Sequence, residues 1–352
     1  MTKKQLILGL AGLVALVALA VWGRDRIHFD FGVFRAQLAQ ADWGKIGIAL
    51  ACIYTGYLFR SVRWAVLLRH SKRVPLFSLL GTQVIGFTAV ALIGRVADPV
   101  RPYLVAKKTG LTLTSQIAVY IVERLFDAGS MAVLFSSAIL FAPAGTLPHP
   151  ETFRKFGYGG LAGAAVGALF LVALRIKGEE MARIAEKVFS KLSAGAGHAV
   201  ANKMRTFHTG LDTLRSFSDF AIAFALSIAM WGLITITYLE TALAFVAPDH
   251  RASVSLPKCM VLMVSSGAAS AVQLPVIGWF TQIGAVMLTM RALFTLSTEA
   301  ATACAATLLL VSFLAIVPVG LVWAQVEHIS LRKVAVESEC AEAELVADEP
   351  AG

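Results

Sequence analysis

Charged side chains are scarce in this sequence, at 15% of its 352 residues, where a soluble globular chain carries roughly 25%. With 57% of residues apolar, too little polar surface is left to cover a whole molecule against water. An ordinary soluble protein is thereby excluded. No stretch between the apolar runs approaches the length of a separate soluble module, about 100 residues. Cysteine is sparse too. Cys52, Cys259, Cys304 and Cys340 form no C-x-x-C pair, and three of them sit in apolar runs, so neither a disulfide framework nor a zinc site is expected. The seven histidines have no metal-ligand spacing, and no nucleophile elbow or phosphate-binding loop is found. No metal or cofactor is expected, and no catalytic motif marks the chain as an enzyme.

What the sequence has in quantity is apolar length. Mean hydropathy is +0.73, and apolar segments lie at about 5–22, 44–68, 76–94, 112–142, 157–176, 219–247, 256–274, 278–297 and 300–325. About 20 residues are what a 30 Å hydrocarbon layer demands of a helix. The expected fold class is all-α: a polytopic membrane helix bundle of about 7–9 apolar segments, forming a single domain over residues 1–330. Ala18-Leu19-Ala20 resembles a signal-peptidase site behind Lys3 and Lys4, but the run is long for a signal and further spans follow, so an uncleaved first helix is expected.

Loop charge then sets the topology. The formal net charge is +9, and its basic residues are scattered between spans, which argues against nucleic-acid binding. Arg69, Lys72 and Arg73 lie in one loop without an acid. The next loop holds Arg95, Arg101, Lys107 and Lys108 against Asp98, and segment 177–217 is basic again. Lys and Arg accumulate on cytoplasmic loops, so all three face the cytoplasm. Two consecutive basic loops on one side cannot flank a simple span. The stretch 76–94 therefore dips in and returns through 95–104 as a re-entrant hairpin. The Gly267/Pro275/Gly278-broken pair over 256–297 is its counterpart from the outer side. Two interrupted elements of opposite orientation are the mark of an inverted-repeat transporter, and ordinary tight helical hairpins are the alternative. Both termini are expected in the cytoplasm of a multi-pass inner-membrane protein. Segment 177–217, with Met181, Ile184, Val188 and Leu192 at helical spacing, reads as an amphipathic helix on the inner membrane surface or a solvated linker. The acid-rich tail 331–352 reads as disordered.

The informative residues are charges inside apolar helices, where each costs about 2.5–3.5 kcal/mol at mid-span unless it meets a cavity or partner. Glu123 and Asp127, four apart, share a helix face and repel one another, and Arg124 offsets only part of that charge. Further cations must come from elsewhere. Arg95, Asp98 and Arg101 recur at spacing three, which on one helix places them on one side. The expected cluster is Arg95, Arg101, Glu123, Arg124 and Asp127, with Arg60 and Arg63 at its mouth. It either grips an anionic head group, since guanidinium matches phosphate bidentately, or is a buried ion network that orders the hairpin. Gln273, Pro275, Gly278 and Gln282 at the second break are candidate cavity-lining positions. Glu240, alone near a helix end, reads as a snorkelling rim residue.

The run Gly86-Phe87, Ile93-Gly94-Arg95-Val96-Ala97-Asp98-Pro99-Val100-Arg101, Lys107-Lys108-Thr109-Gly110 and Val122-Glu123-Arg124-Leu125-Phe126-Asp127 resembles the signature of the lysylphosphatidylglycerol synthase transmembrane region, the flippase-like domain family. Arg60, Arg63-Trp64 and Leu67-Leu68 resemble its upstream element, and Pro275 to Gly278 its late P-x-x-G turn. Gly94 stands where the family has proline, Ala97-Asp98 replaces Gly-Glu, and the family's glutamate pattern near 278–282 is reduced to Gly278-Trp-Phe-Thr281-Gln282. The resemblance implies a lipid flippase or transporter moving an anionic phospholipid or a polyprenyl-phosphate-linked substrate, its arginines binding the head group. A membrane enzyme or accessory factor acting on lipid-linked sugars, and a non-transporting scaffold, are the alternatives. The aminoacyltransferase domain that accompanies some members is not expected here.

Overall fold

The helices begin and end where short-range chemistry tells them to. The computed structural model describes residues 29–191, 193–211, 216–270, 277–294 and 296–347, and among them every regular element is helical. Helix α1 spans Phe31–Gln40, started by Asp30, whose carboxylate accepts the N–H groups of Gly32 and Val33. Helix α2 spans Trp43–Leu68 and is capped by Asp42. Helix α3, Leu76–Ile93, stops at Gly94, whose φ of 96° is open to glycine alone at little strain. A 3-10 turn over Arg95–Ala97 and Pro99 then lead into α4, Val100–Thr109. Helix α5 is Leu113–Leu140 and α6 is Pro150–Phe189, bent at Lys177. Helix α7 follows at Ala194–Leu211, and α8, Phe217–Phe245, opens on a capping box of Ser216 and Asp219. Helices α9 (Leu256–Ala269) and α10 (Ile277–Phe294) precede α11 (Thr298–Leu309), which passes through a π-helical turn into α12 (Ile316–Val326). Helix α13, Leu331–Ala347, closes the described chain.

Among the described residues four helical stretches are long and apolar enough to cross a membrane: Leu76–Ile93, Pro150–Phe189, Ser218–Phe245 and Thr298–Val326. Helices α2 and α5 have the length, 26 and 28 residues, but carry the internal charges that set them apart. The outer apolar face of α6 displays Phe156, Val166, Leu169 and Phe170, as a helix bordering lipid should.

Polar contacts define the two ends of the bundle. At one end Lys45 pairs with Glu240 at 3.0 Å, and Arg251 with Asp42 at 3.0 Å. Glu240, expected as a lone snorkelling residue, thus has a partner. At the other end Asp219 receives Arg69 and His70, and Lys72 donates to the carbonyl of Thr109. That last contact joins the loop just ahead of α3 to the end of α4. Leu79 and Val105 also share a buried cluster with Leu67 and Leu68. Helices α3 and α4 therefore leave and return at the same, basic end. Helices α9 and α10 do the same from the opposite end, where Lys258 lies 5.2 Å above the Phe294 ring. Midway, Ser265 and Thr289 hydrogen bond at 2.8 Å. The hairpins are thus inverted, and they meet at their tips: Arg95 Nε donates to the carbonyl of Ser270 at 3.1 Å.

Two expectations need correction. Segment 177–217 contains two helices: the upper part of α6, and α7, which folds back along it. Glu186 pairs with His198 at 2.9 Å, and Arg205 with Glu179 at 3.2 Å. Met181 and Met204 pack against the bundle's end cluster, whereas Ile184 and Val188 are exposed at 62% and 52%; Leu192 lies outside the described residues. The helical spacing was real, but part of it serves packing between two helices.

The tail is the second correction. Instead of being disordered, Leu331–Ala347 forms α13 and docks on the first hairpin. Val334 is buried with Val100 and Leu104, and Glu337 accepts the Tyr103 hydroxyl at 2.9 Å and pairs with Lys107 at 3.4 Å. Glu337, one of the acids of that tail, finds the basic hairpin. Burying a valine side chain is worth about 1.5–3 kcal/mol, so Val334→Asp should undock α13. Trypsin cleavage at Arg332 and Lys333 of the folded protein measures this: rapid cutting of the variant and resistance of the wild type are expected. The Tyr103 hydroxyl chiefly, then Lys107, hold the Glu337 carboxyl below its ordinary range. The docking is therefore complete above the ordinary glutamate value of about 4.3 and weakens as pH falls through the depressed one. Wild-type resistance should persist at pH 5, and its loss between pH 7 and 5 would contradict this account.

Candidate functional site

Arg60 and Arg63 stand three apart on α2, so both look toward the same neighbour, and that neighbour is α5. Arg63 is buried, with its guanidinium laid across both carboxylates. Nη2 donates to Glu123 Oε1 at 2.6 Å, and Nη1 to Asp127 Oδ1 at 2.6 Å and to Ser227 Oγ of α8 at 2.6 Å. The repulsion between Glu123 and Asp127 is relieved by this one planar cation. Arg101, from α4, pairs with the other oxygen of Glu123. Its guanidinium carbon sits 4.4 Å from the Phe87 ring centre and 5.2 Å from that of Trp64. A Cβ at position 86 would collide with the stem of Arg101, so glycine there lets α4 approach α3.

Two further arginines complete the ring more loosely. Arg60 lies 3.5 Å from Glu123 and 3.6 Å from Asp127, and Arg124 lies 3.3 and 3.2 Å from the same two groups. Trp231 Nε1 of α8 donates to Asp127 at 3.2 Å. Four guanidinium groups therefore face two carboxylates, leaving an excess of positive charge inside the bundle. Removing a buried charge from water costs several kcal/mol per ion, so the excess calls for an anion or for water.

Space for one is present. A cavity of about 300 Å³ lies beside the ring, with Arg60 and Arg124 in its wall. The first hairpin's tip contributes Arg95 and Asp98, the second hairpin Ser266, Ser270 and Gln282, and α8 contributes Trp231 and Tyr238. Among the described residues no group of three His, Cys, Asp or Glu side chains could hold a metal ion.

The model of one protein family, described as Lysylphosphatidylglycerol synthase TM region, matches residues 6–321. The chain belongs to the lysylphosphatidylglycerol synthase transmembrane-region family. Neither a curated protein nor a solved structure matches it.

Within this member of the lysylphosphatidylglycerol synthase transmembrane-region family, the expected site residues divide into two groups. Arg60, Arg63, Arg101, Glu123, Arg124 and Asp127 come together in one ion network. Arg63 stands at its centre, where the sequence put it at the mouth. Arg95 does not join; its guanidinium reaches Ser270 across the hairpin tips, at 3.1 Å to the carbonyl and 3.3 Å to the hydroxyl. The reason is local. Gly94 turns the backbone, and a 3-10 turn replaces the single helix that would have aligned Arg95, Asp98 and Arg101. Asp98 lines the cavity, as does Gln282; Gly278 lies in the first turn of α10, and Gln273 and Pro275 fall outside the described residues. Sequence reasoning missed Ser227, Trp231 and Tyr238. The first two are four residues apart in an apolar helix, a spacing that could have exposed a polar stripe.

Removing one partner from a buried ion pair costs about 3–5 kcal/mol, because the other charge stays behind. Arg63→Met should therefore lower the melting temperature of the detergent-solubilised protein sharply, with partial recovery when Asp127→Asn is added. Arg124, 40% exposed, should matter little to stability: under about 1 kcal/mol for Arg124→Gln. The reverse ranking in thermal unfolding would refute the assigned order.

Proposed function

We propose that this protein moves an anionic or lipid-linked substrate across the cytoplasmic membrane and holds the head group in the arginine-lined cavity. Membership of a lipid-associated membrane family sets the frame, and the positive excess of the ion network carries the reading. A phosphate brought between Arg60 and Arg124 would offset that excess and receive charge-assisted hydrogen bonds. The same cavity lies where the tips of two inverted hairpins touch, an arrangement that suits alternating access around a fixed mid-membrane site. The bare phosphate could not cross hydrocarbon without such a polar route.

The basic end, with Arg69, Lys72, Lys107 and the α6–α7 pair, is assigned to the cytoplasm by the positive-inside rule. Helix α13 lies at that end, so the C-terminal region is assigned there too. A transporter is favoured over an enzyme because Glu123 and Asp127 are both committed to arginines, which leaves Asp98 as the one cavity-lining carboxylate among the described residues, without a second acid or base beside it. Neither Glu123 nor Asp127 is left in the weakly held state that general acid or base work requires.

Reconstituted liposomes test the proposal. Each charge-assisted bond contributes about 1.5–3 kcal/mol, so Arg60→Gln and Arg124→Gln should each slow transbilayer movement of fluorescent phosphatidylglycerol by about tenfold or more. Chemical alteration of the lipid would favour the membrane-enzyme reading instead. No movement and no alteration by the wild type would leave a scaffold.

A further inference from the structure

Helix α13 lies beyond residue 321, where the match to the family ends, yet it packs on both limbs of the first hairpin and on the turn between them. Val334 is buried in one cluster with Ile85, Ala89 and Val90 of α3, Val100 and Leu104 of α4, and Ala97 of the tip turn; Leu331 and Ala335 pack half-buried against it. Two residues before Ala97, Arg95 reaches Ser270 of the second hairpin. Arg95, Asp98 and Ser270 all stand in the cavity wall, so the touching tips form part of that wall. The second hairpin has an anchor of its own. Tyr238 of α8 donates its hydroxyl to Ser266 Oγ at 2.8 Å, and Gln282 Nε2 donates to the same oxygen at 2.7 Å. The tip turn of the first hairpin has α13 behind it.

We propose that α13 is an internal latch on the first hairpin: docked, it holds the tip turn against Ser270, and released, it lets that tip withdraw and opens its side of the cavity. The docking is light enough to be reversed. Its apolar hold rests on one buried valine and half-buried neighbours. Its ion pairs, Glu337 with Lys107 and Glu327 with Lys108, are partly open to water, where such pairs contribute little. The turn that sends α13 back onto the hairpin also carries a cost. It holds His328 at φ 53°, a left-handed conformation that L side chains disfavour, with the Ile329 N–H bonded to the Ala324 carbonyl at 2.8 Å. Elements held by so few buried contacts are the ones that open first in a folded protein. The return limb is tied a second time, by Arg101 to Glu123, so release acts on the tip turn while α5 keeps its partner. The inference does not depend on what the cavity holds.

Hydrogen–deuterium exchange of the full chain in nanodiscs, read by mass spectrometry, tests it. Val334→Asp releases α13; Glu337→Lys, a surface change that sets a lysine against Lys107, serves if the first variant does not fold. Trypsin cleavage at Arg332 and Lys333 reports the release in either. Amides 94–98 of the tip turn should then exchange about tenfold faster, and amides 267–270 of the second hairpin roughly threefold faster, with α5 unchanged. The second hairpin packs in a separate buried cluster, so a change there has to travel through Arg95 and Ser270. Arg95→Ala should accordingly speed exchange at 267–270 while α13 stays resistant to trypsin. Wild-type exchange at either tip in a variant that trypsin shows to be released would overturn the latch. So would an equal rise in α5, which makes α13 a general stabiliser, or an Arg95→Ala variant with no change at 267–270.

Discussion

Two carboxylates one helical turn apart cannot both be ionised in an apolar interior unless cations reach both, and this constraint organises the molecule. Arg63 meets it from α2 by spanning Glu123 and Asp127 with one guanidinium. Arg101 meets the rest from α4, which fixes the return limb of the first hairpin against α5. Ser227 and Trp231 bring in α8. One charge problem on a single helix thus ties α2, α4 and α8 to α5. The same solution overshoots: the cations outnumber the acids, and the surplus lies along a cavity.

The hairpins place that cavity at a junction. One enters the bundle from the basic end, the other from the opposite end, and Arg95 to Ser270 is where they touch. A contact between two tips is a small interface compared with the packing of the spanning helices. Helix α13 adds a restraint on the first hairpin through Val334 and Glu337.

Much of this was legible because membranes make charge conspicuous. Glu123, Arg124 and Asp127 stood out as unaffordable without partners, and the basic loops on either side of residues 76–94 forced a hairpin. What could not be read was which arginine answers which acid. Spacing put Arg95 beside Arg101, but that inference assumed one helix, and Gly94 ends it. Arg63 looked peripheral because sequence gives distance from a helix end, not the neighbour a side chain faces. Glu337 looked like part of a repelling run because its partners, Tyr103 and Lys107, lie more than 200 residues away. Tyr238, Ser266 and Gln282 are ordinary polar residues in apolar helices, and only their meeting at one oxygen makes them a feature.

The central claim is that the surplus charge of the ring is met by a lipid phosphate in the cavity. A cryo-electron microscopy map of the full chain in nanodiscs containing phosphatidylglycerol tests it most directly. The account predicts density for a phosphate within hydrogen-bonding reach of both the Arg60 and Arg124 guanidinium groups, with Arg63 still laid across Glu123 and Asp127. A cavity holding only water while lipid density keeps to the outer faces of the helices would contradict it.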